Sequence, residues 1–205
     1  LIHIMAVKKL VEVWDGKNII RDNVIFLKQK TKEVINHNSE ELKKIKKDLL
    51  DTYKATPCAG VAANQIGYDK RVFIGLKKDD ESDDKNNNPI GNPNAENYEF
   101  YINPQIDHYS KKSIQEGEEG CLSIPEIRLV AERFDQIKVR YFNENGEKIK
   151  KPLSGFLSRL FQHELDHLDG KLMLENNLIK QVYQITENKN IKQLYSNLVQ
   201  ELKSF

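Results

Sequence analysis

From Ser154 to Leu168 the chain reads S-G-F-L-S-R-L-F-Q-H-E-L-D-H-L, a helical pattern in which Phe156, Leu157, Leu160, Phe161, His163, His167 and Leu168 crowd one broad face. A helix apolar over so much of its circumference has to be enclosed by other elements rather than laid on a surface. Strands are available to enclose it. Arg71–Leu76, Tyr98–Ile106 and Ile127–Asn143 are rich in β-branched and aromatic residues, and Asn143-Glu-Asn-Gly146 is a hairpin turn leading into residues 147–151. Leu42, Ile45, Leu49 and Tyr53 recur at helical spacing after a cap at Asn38, which predicts a helix over residues 39–54. Ile191, Leu194, Leu198 and Leu202 predict a last packing helix over 190–203. The expected fold is therefore α+β: mixed, mostly antiparallel strands around a central helix, with one helix before them and one after.

At 205 residues and 39% hydrophobic content the chain suits one domain with one core. Residues 77–97 contain almost nothing to bury and read as a flexible polar insertion. Thirty-two Lys and Arg against 31 Asp and Glu leave no footprint for nucleic acid or for an anionic membrane. No apolar run is long enough to span a bilayer, so a protein free of membranes is expected. Met5-Ala-Val-Lys-Lys reads as a natural start, with Leu1–Ile4 the stub of a removed leader or a cloning remnant. Cys58 and Cys121 are the only cysteines, which favours free thiols in a reducing compartment over a disulfide.

Four residues of helix advance about 400°, so His163 and His167 point the same way one turn apart and suit one metal ion. Glu164 lies about 100° round from His163, where it reaches a water beside the ion without being a ligand, as a general base must. A catalytic ion needs a third protein ligand and an open position. The extended form H-E-x-x-H-x-x-G-x-x-H fails here, because Met173 stands where its last histidine belongs. Glu187, at the distance a downstream glutamate ligand would have, sits among polar turn residues, and Glu175 is a second acidic alternative. Upstream, Glu118-Glu-Gly-Cys-Leu-Ser123 places a thiol after a glycine that allows close backbone approach, and Cys121 is the preferred third ligand.

Three segments in order, G-V-A-A-N-Q-I-G, E-G-C-L-S and Q-H-E-L-D-H-L-D-G, resemble the motifs of the peptide deformylases, over roughly residue 39 to Leu174. The resemblance implies a metal held by Cys121, His163 and His167, with Glu164 as acid and base. It implies hydrolysis of the N-formyl group from the initiator formylmethionine of new polypeptides. Gln65, through its side-chain amide, and Leu122, through its backbone N–H, would then donate to the formyl oxygen. Extended peptide substrates would meet backbone groups near Ala59, Gly60 and Gly120 in the manner of an added strand. Phe156 and Leu160, on or near the ligand face, are candidates to line the slot for the methionine side chain. Cys58 stands at the family's first motif glycine, where a φ above zero would strain it, and Arg159 occupies a position expected to be apolar.

The donor set alone suits zinc. The resemblance implies Fe2+ as native metal, with Zn2+, Ni2+ or Co2+ replacing it in purified protein. It also implies formylmethionyl peptides as substrates, including nascent chains at the ribosome, in a bacterial cytoplasm or in an organelle of a eukaryotic host, and the chain is expected to act as a monomer. Two readings compete: a zinc peptidase with Glu187 or Glu175 as ligand, and a non-catalytic protein whose structural site is closed by a fourth ligand.

Overall fold

The computed structural model describes residues 7–79 and 91–205, so the start at Met5 and the centre of the polar insertion lie outside the described residues. In chain order the strands are β1 (Gly60–Ala62), β2 (Val72–Gly75), β3 (Glu99–Tyr109), β4 (Ile114–Cys121), β5 (Ile124–Phe134), β6 (Ile137–Phe142), β7 (Lys148–Leu153) and β8 (Ile179–Gln184). They form a five-stranded sheet in the order β1-β2-β3-β6-β7 and a three-stranded sheet in the order β4-β5-β8, with every pair antiparallel. The helices are α1 (Arg21–Leu27), α2 (Glu40–Ala55), α3 (Gly155–Leu168) and α4 (Ile191–Leu202). This is the α+β arrangement expected from the sequence.

The enclosed helix is α3, which packs on β1 and β2 of the larger sheet and on β5 of the smaller. Phe161, Leu165 and Leu168 join Phe73, Tyr101 and Tyr141 in one apolar cluster. Phe73 stacks on Tyr101 at 4.4 Å between ring centroids and meets Phe161 edge-on at 5.5 Å. α2 buries Leu42, Ile45, Leu49 and Tyr53 against Val61, Val72, Ile74 and Ile102. Ile191, Leu194, Leu198 and Leu202 of α4 close the core of the smaller sheet beside Ile124 and Leu129.

Two local expectations are corrected, and two further elements stand where composition gives little sign of them. The cap of α2 is Ser39, whose Oγ accepts the Leu42 N–H at 3.1 Å, while Asn38 forms part of the turn before it. The segment after Pro57 contains β1 and a 3-10 turn over Ala63–Ile66, whose burial accounts for its apolar composition. β4 has the composition I-Q-E-G-E-E-G-C, poor in strand formers, yet pairs with β5 along its length. Lastly, the end of the polar stretch 77–97 is not all solvated, since Asn92 is buried.

Candidate active site

Two elements converge on the site. The C-terminal half of α3 presents His163 and His167, with ring centroids 5.0 Å apart, and the end of β4 delivers Cys121, whose Sγ lies 3.1 Å from His167 Nε2. The thiol and the two imidazoles offer ligand atoms that all lie within 4.8 Å of one another, and among the described residues no fourth His, Cys, Asp or Glu joins them. One thiolate and two imidazoles suit a transition-metal ion rather than calcium or magnesium, so the residues present fit such an ion.

The charges around the three are ordered. His163 Nδ1–H donates to Glu119 Oε2 at 2.9 Å, which fixes the ring and turns Nε2 away from the carboxylate. Arg133 Nε and Nη2 grip both oxygens of Glu119 at 2.8 and 3.0 Å, and Arg133 Nη1 reaches Asp166 at 2.6 Å. Arg159 Nη1 adds a contact to Glu119 at 2.7 Å. Burial opposes ionisation of Glu119, and hydrogen bonds from Arg133 and His163 outweigh it, holding the carboxyl well below the usual range. Burial likewise opposes a Cys121 thiolate, and His167 with His163 overcomes it, bringing the thiol down to about 5.

Glu164 is buried, with Oε2 unpartnered among the described residues. Burial pushes its carboxyl up to about 7, against the pull of His163 and His167. Gly60 lies against it: a Cβ there would stand 2.8 Å from Glu164 Oε1. Gln65 Oε1 accepts the Ala62 N–H at 2.9 Å, which decides the orientation of the amide and sends Nε2 toward Ser123 Oγ at 3.2 Å and Cys121 Sγ at 3.5 Å.

A cleft of about 390 Å³ runs past these groups, and Ala59, Gly60, Gln65, Gly120, Cys121, Leu122, Phe156, Leu160, His163 and Glu164 all line it. Among the described residues β1 has only β2 as neighbour and β4 only β5, so each sheet contributes an outer strand to the cleft wall. The residues put forward for the ion, the base, the oxyanion donors and the peptide thus lie at one place, with His167 beside Cys121 rather than on the wall itself.

The alternatives fare differently. Glu175 accepts the Leu172 N–H at 2.8 Å and pairs with Lys28, Glu187 is exposed, and neither joins the ligand group. Both cysteines are free thiols. Cys58 does not have a positive φ, so the strain expected from the missing glycine does not arise, and burial pushes its thiol up to about 12. Arg159, placed where an apolar residue was expected, is accommodated by Glu119 and by the carbonyls of Gln115 and Ala131 at 3.1 and 3.0 Å.

Glu119, Arg133, Asp166, Ser123 and Asn64 carried no role in the sequence. Asn64 Nδ2 donates to the His167 carbonyl at 2.7 Å, tying the first motif to the third. Glu119 next to Gly120-Cys121 was the one readable signal, since a ligand histidine needs a carboxylate or carbonyl behind it. Arg133 lies a strand away and no spacing rule points to it.

Comparison with known proteins gives one answer. The sequence profile of the family described as polypeptide deformylase matches residues 17–184. The peptide deformylase of Rickettsia typhi is 33% identical over 175 residues, covering 84% of this chain and 93% of that one. That of Pseudothermotoga lettingae is 36% identical over 157 residues, 77% of this chain and 79% of its own. Among solved structures, the Synechococcus elongatus peptide deformylase in complex with actinonin superposes with a TM-score of 0.65 at 26% identity, over 97% of this chain and 86% of that one. A Met-Ala-Ser-bound peptide deformylase from Acinetobacter baumannii gives 0.67 at 27% identity, over 84% and 99%. With the profile spanning most of the sequence and the three motifs meeting at one cleft, the chain belongs to the polypeptide deformylase family.

Proposed function

We propose that Cys121, His163 and His167 hold the divalent ion with which this chain removes the formyl group from the formylmethionine of new polypeptides, and that Glu164 carries the proton. The observation supporting this most strongly is the closure of three ligand atoms to within 4.8 Å beside a buried, unpartnered carboxylate oxygen. The ion, when bound, supplies Lewis acidity to the attacking water and the formyl carbonyl. Glu164 takes a proton from the water as its oxygen adds to the formyl carbon. Gln65 Nε2–H and the Leu122 N–H donate to the formyl oxygen as charge grows there. The C–N bond then breaks, Glu164 returns the proton to the leaving amine, and formate and a free amino terminus remain.

The peptide lies extended between the outer edges of β1 and β4, using backbone groups of Ala59, Gly60 and Gly120, with the methionine side chain against Phe156 and Leu160. The Met-Ala-Ser ligand of the Acinetobacter baumannii relative is consistent with a short peptide as occupant. Fe2+ is the proposed native ion, checked by metal analysis after anaerobic purification. On this reading residues 1–205 are one catalytic domain, a monomer that meets nascent chains at the ribosome in a bacterial cytoplasm or an organelle. Among the described residues no helix is long and apolar enough to cross a membrane.

Formate release from formyl-Met-Ala-Ser tests the assignment. Glu164→Ala should lose roughly 10²–10⁴-fold in kcat while retaining metal. Loss of metal in step with activity would instead make Glu164 a ligand.

A further inference from the structure

Nothing in the composition of residues 77–97 asks for burial, yet Asn92 is only 4% exposed. Its backbone N–H donates to the Lys54 carbonyl at 2.9 Å, and its Nδ2 donates to the carbonyls of Tyr53 at 2.8 Å and Cys58 at 3.0 Å. Its Oδ1 accepts the Asn94 N–H at 2.9 Å, so the amide is used at both ends and its orientation is decided. Gly91 brings the segment in at φ +108, where a Cβ would stand 2.8 Å from Lys54 O, an approach open only to glycine.

Tyr53 and Lys54 lie in the last turn of α2, whose carbonyls have no partner within the helix. Cys58 lies on the link from α2 to β1, two residues before Gly60. One side chain therefore ties the end of a rigid helix to the link that leads into the cleft edge. Ala59 C=O accepts the Leu76 N–H at 3.0 Å, so the link is held at two consecutive residues. None of the hydrogen bonds of Asn92 goes to Cys121, His163, His167 or Glu164.

We propose that Asn92 is a positioning residue for the peptide: by fixing the Cys58 carbonyl it sets the Ala59–Gly60 edge along which residues beyond the formylmethionine are bound. The inference rests on the strand-addition reading of β1 given above. Losing two hydrogen bonds, one buried at the Tyr53 carbonyl and one partly buried at that of Cys58, frees the link to wander, and a wandering edge pairs less well with an extended chain.

The experiment compares kcat and KM for formyl-Met-Ala-Ser and for formylmethionine amide, which is too short to run along the edge. Wild type, Asn92→Ala and Gly91→Ala are measured together with metal content and melting temperature. Gly91→Ala displaces the same anchor by steric contact and keeps the amide, so it carries the comparison should Asn92→Ala fail to fold. KM for the tripeptide should rise roughly tenfold in the variants, with kcat and the constants for the short amide within about twofold of wild type. An equal loss on both substrates, as from a lower folded fraction, overturns the proposal. Wild type that treats the two substrates alike sinks the strand-addition reading, and the inference with it. Wild type that prefers the tripeptide, with variants that prefer it equally, sinks the role of Asn92 alone.

Discussion

The amide of Gln65 is set by a single bond, from the Ala62 N–H to Oε1, and everything its Nε2 does at the site follows from that orientation. Gln65→Glu replaces the donor by an acceptor without altering the length of the side chain. Turnover should fall by about 10²-fold or more while metal content stays near wild type; an equal loss of both would contradict the role. Gly60 is constrained from the other side of the cleft, because any Cβ would press on Glu164 Oε1 at 2.8 Å and on Leu160 Cδ1 at 2.9 Å. Gly60→Ala should therefore cost activity out of proportion to stability, and full activity would show that the carboxylate yields freely. Glu119 supports His163 while being gripped by two arginines, so Glu119→Ala leaves Arg133 and Arg159 buried without their shared anion. Metal affinity should drop roughly 10–100-fold, read by competition with a chelator, and thermal stability should fall with it.

The elements were legible from the sequence wherever periodicity was long, and illegible where pairing had to create them. The stripe Leu42, Ile45, Leu49 and Tyr53 repeats over about three turns and gives α2 directly, whereas α1 has seven residues and buries only Val24 and Leu27, too few to show a period. β8 and β4 carry polar sequences that would not stand as strands alone, and they form because β5 offers each of them an edge. The cap of α2 fell one residue from its predicted place because Asn38 and Ser39 are both good capping residues, and the extended backbone of Ser39 is what decides between them. Ser39→Ala should cost about 1 kcal/mol in denaturant unfolding and Asn38→Ala a few tenths at most; the reverse order would restore the cap to Asn38.

At the scale of the whole molecule, the site exists only because two sheets meet across α3. The ligands and the base could be proposed from three short motifs because H-E-x-x-H fixes its own geometry, and a thiol flanked by glycine narrows the third position. The network that supports them could not, since Arg133 on β5, Asp166 on α3 and Glu119 on β4 are brought together by tertiary packing alone. The same packing makes metal and fold interdependent. Chelation should lower the melting temperature and abolish formate release together, and a restored ion should recover both. The most direct test of the centre is X-ray absorption at the metal edge of anaerobically purified protein. One sulfur at about 2.3 Å and two imidazole nitrogens at about 2.0–2.1 Å, as for zinc bound by such donors, are expected. A shell without sulfur, or one with two sulfurs that brings in Cys58, would contradict the arrangement of Cys121, His163 and His167 on which the account depends.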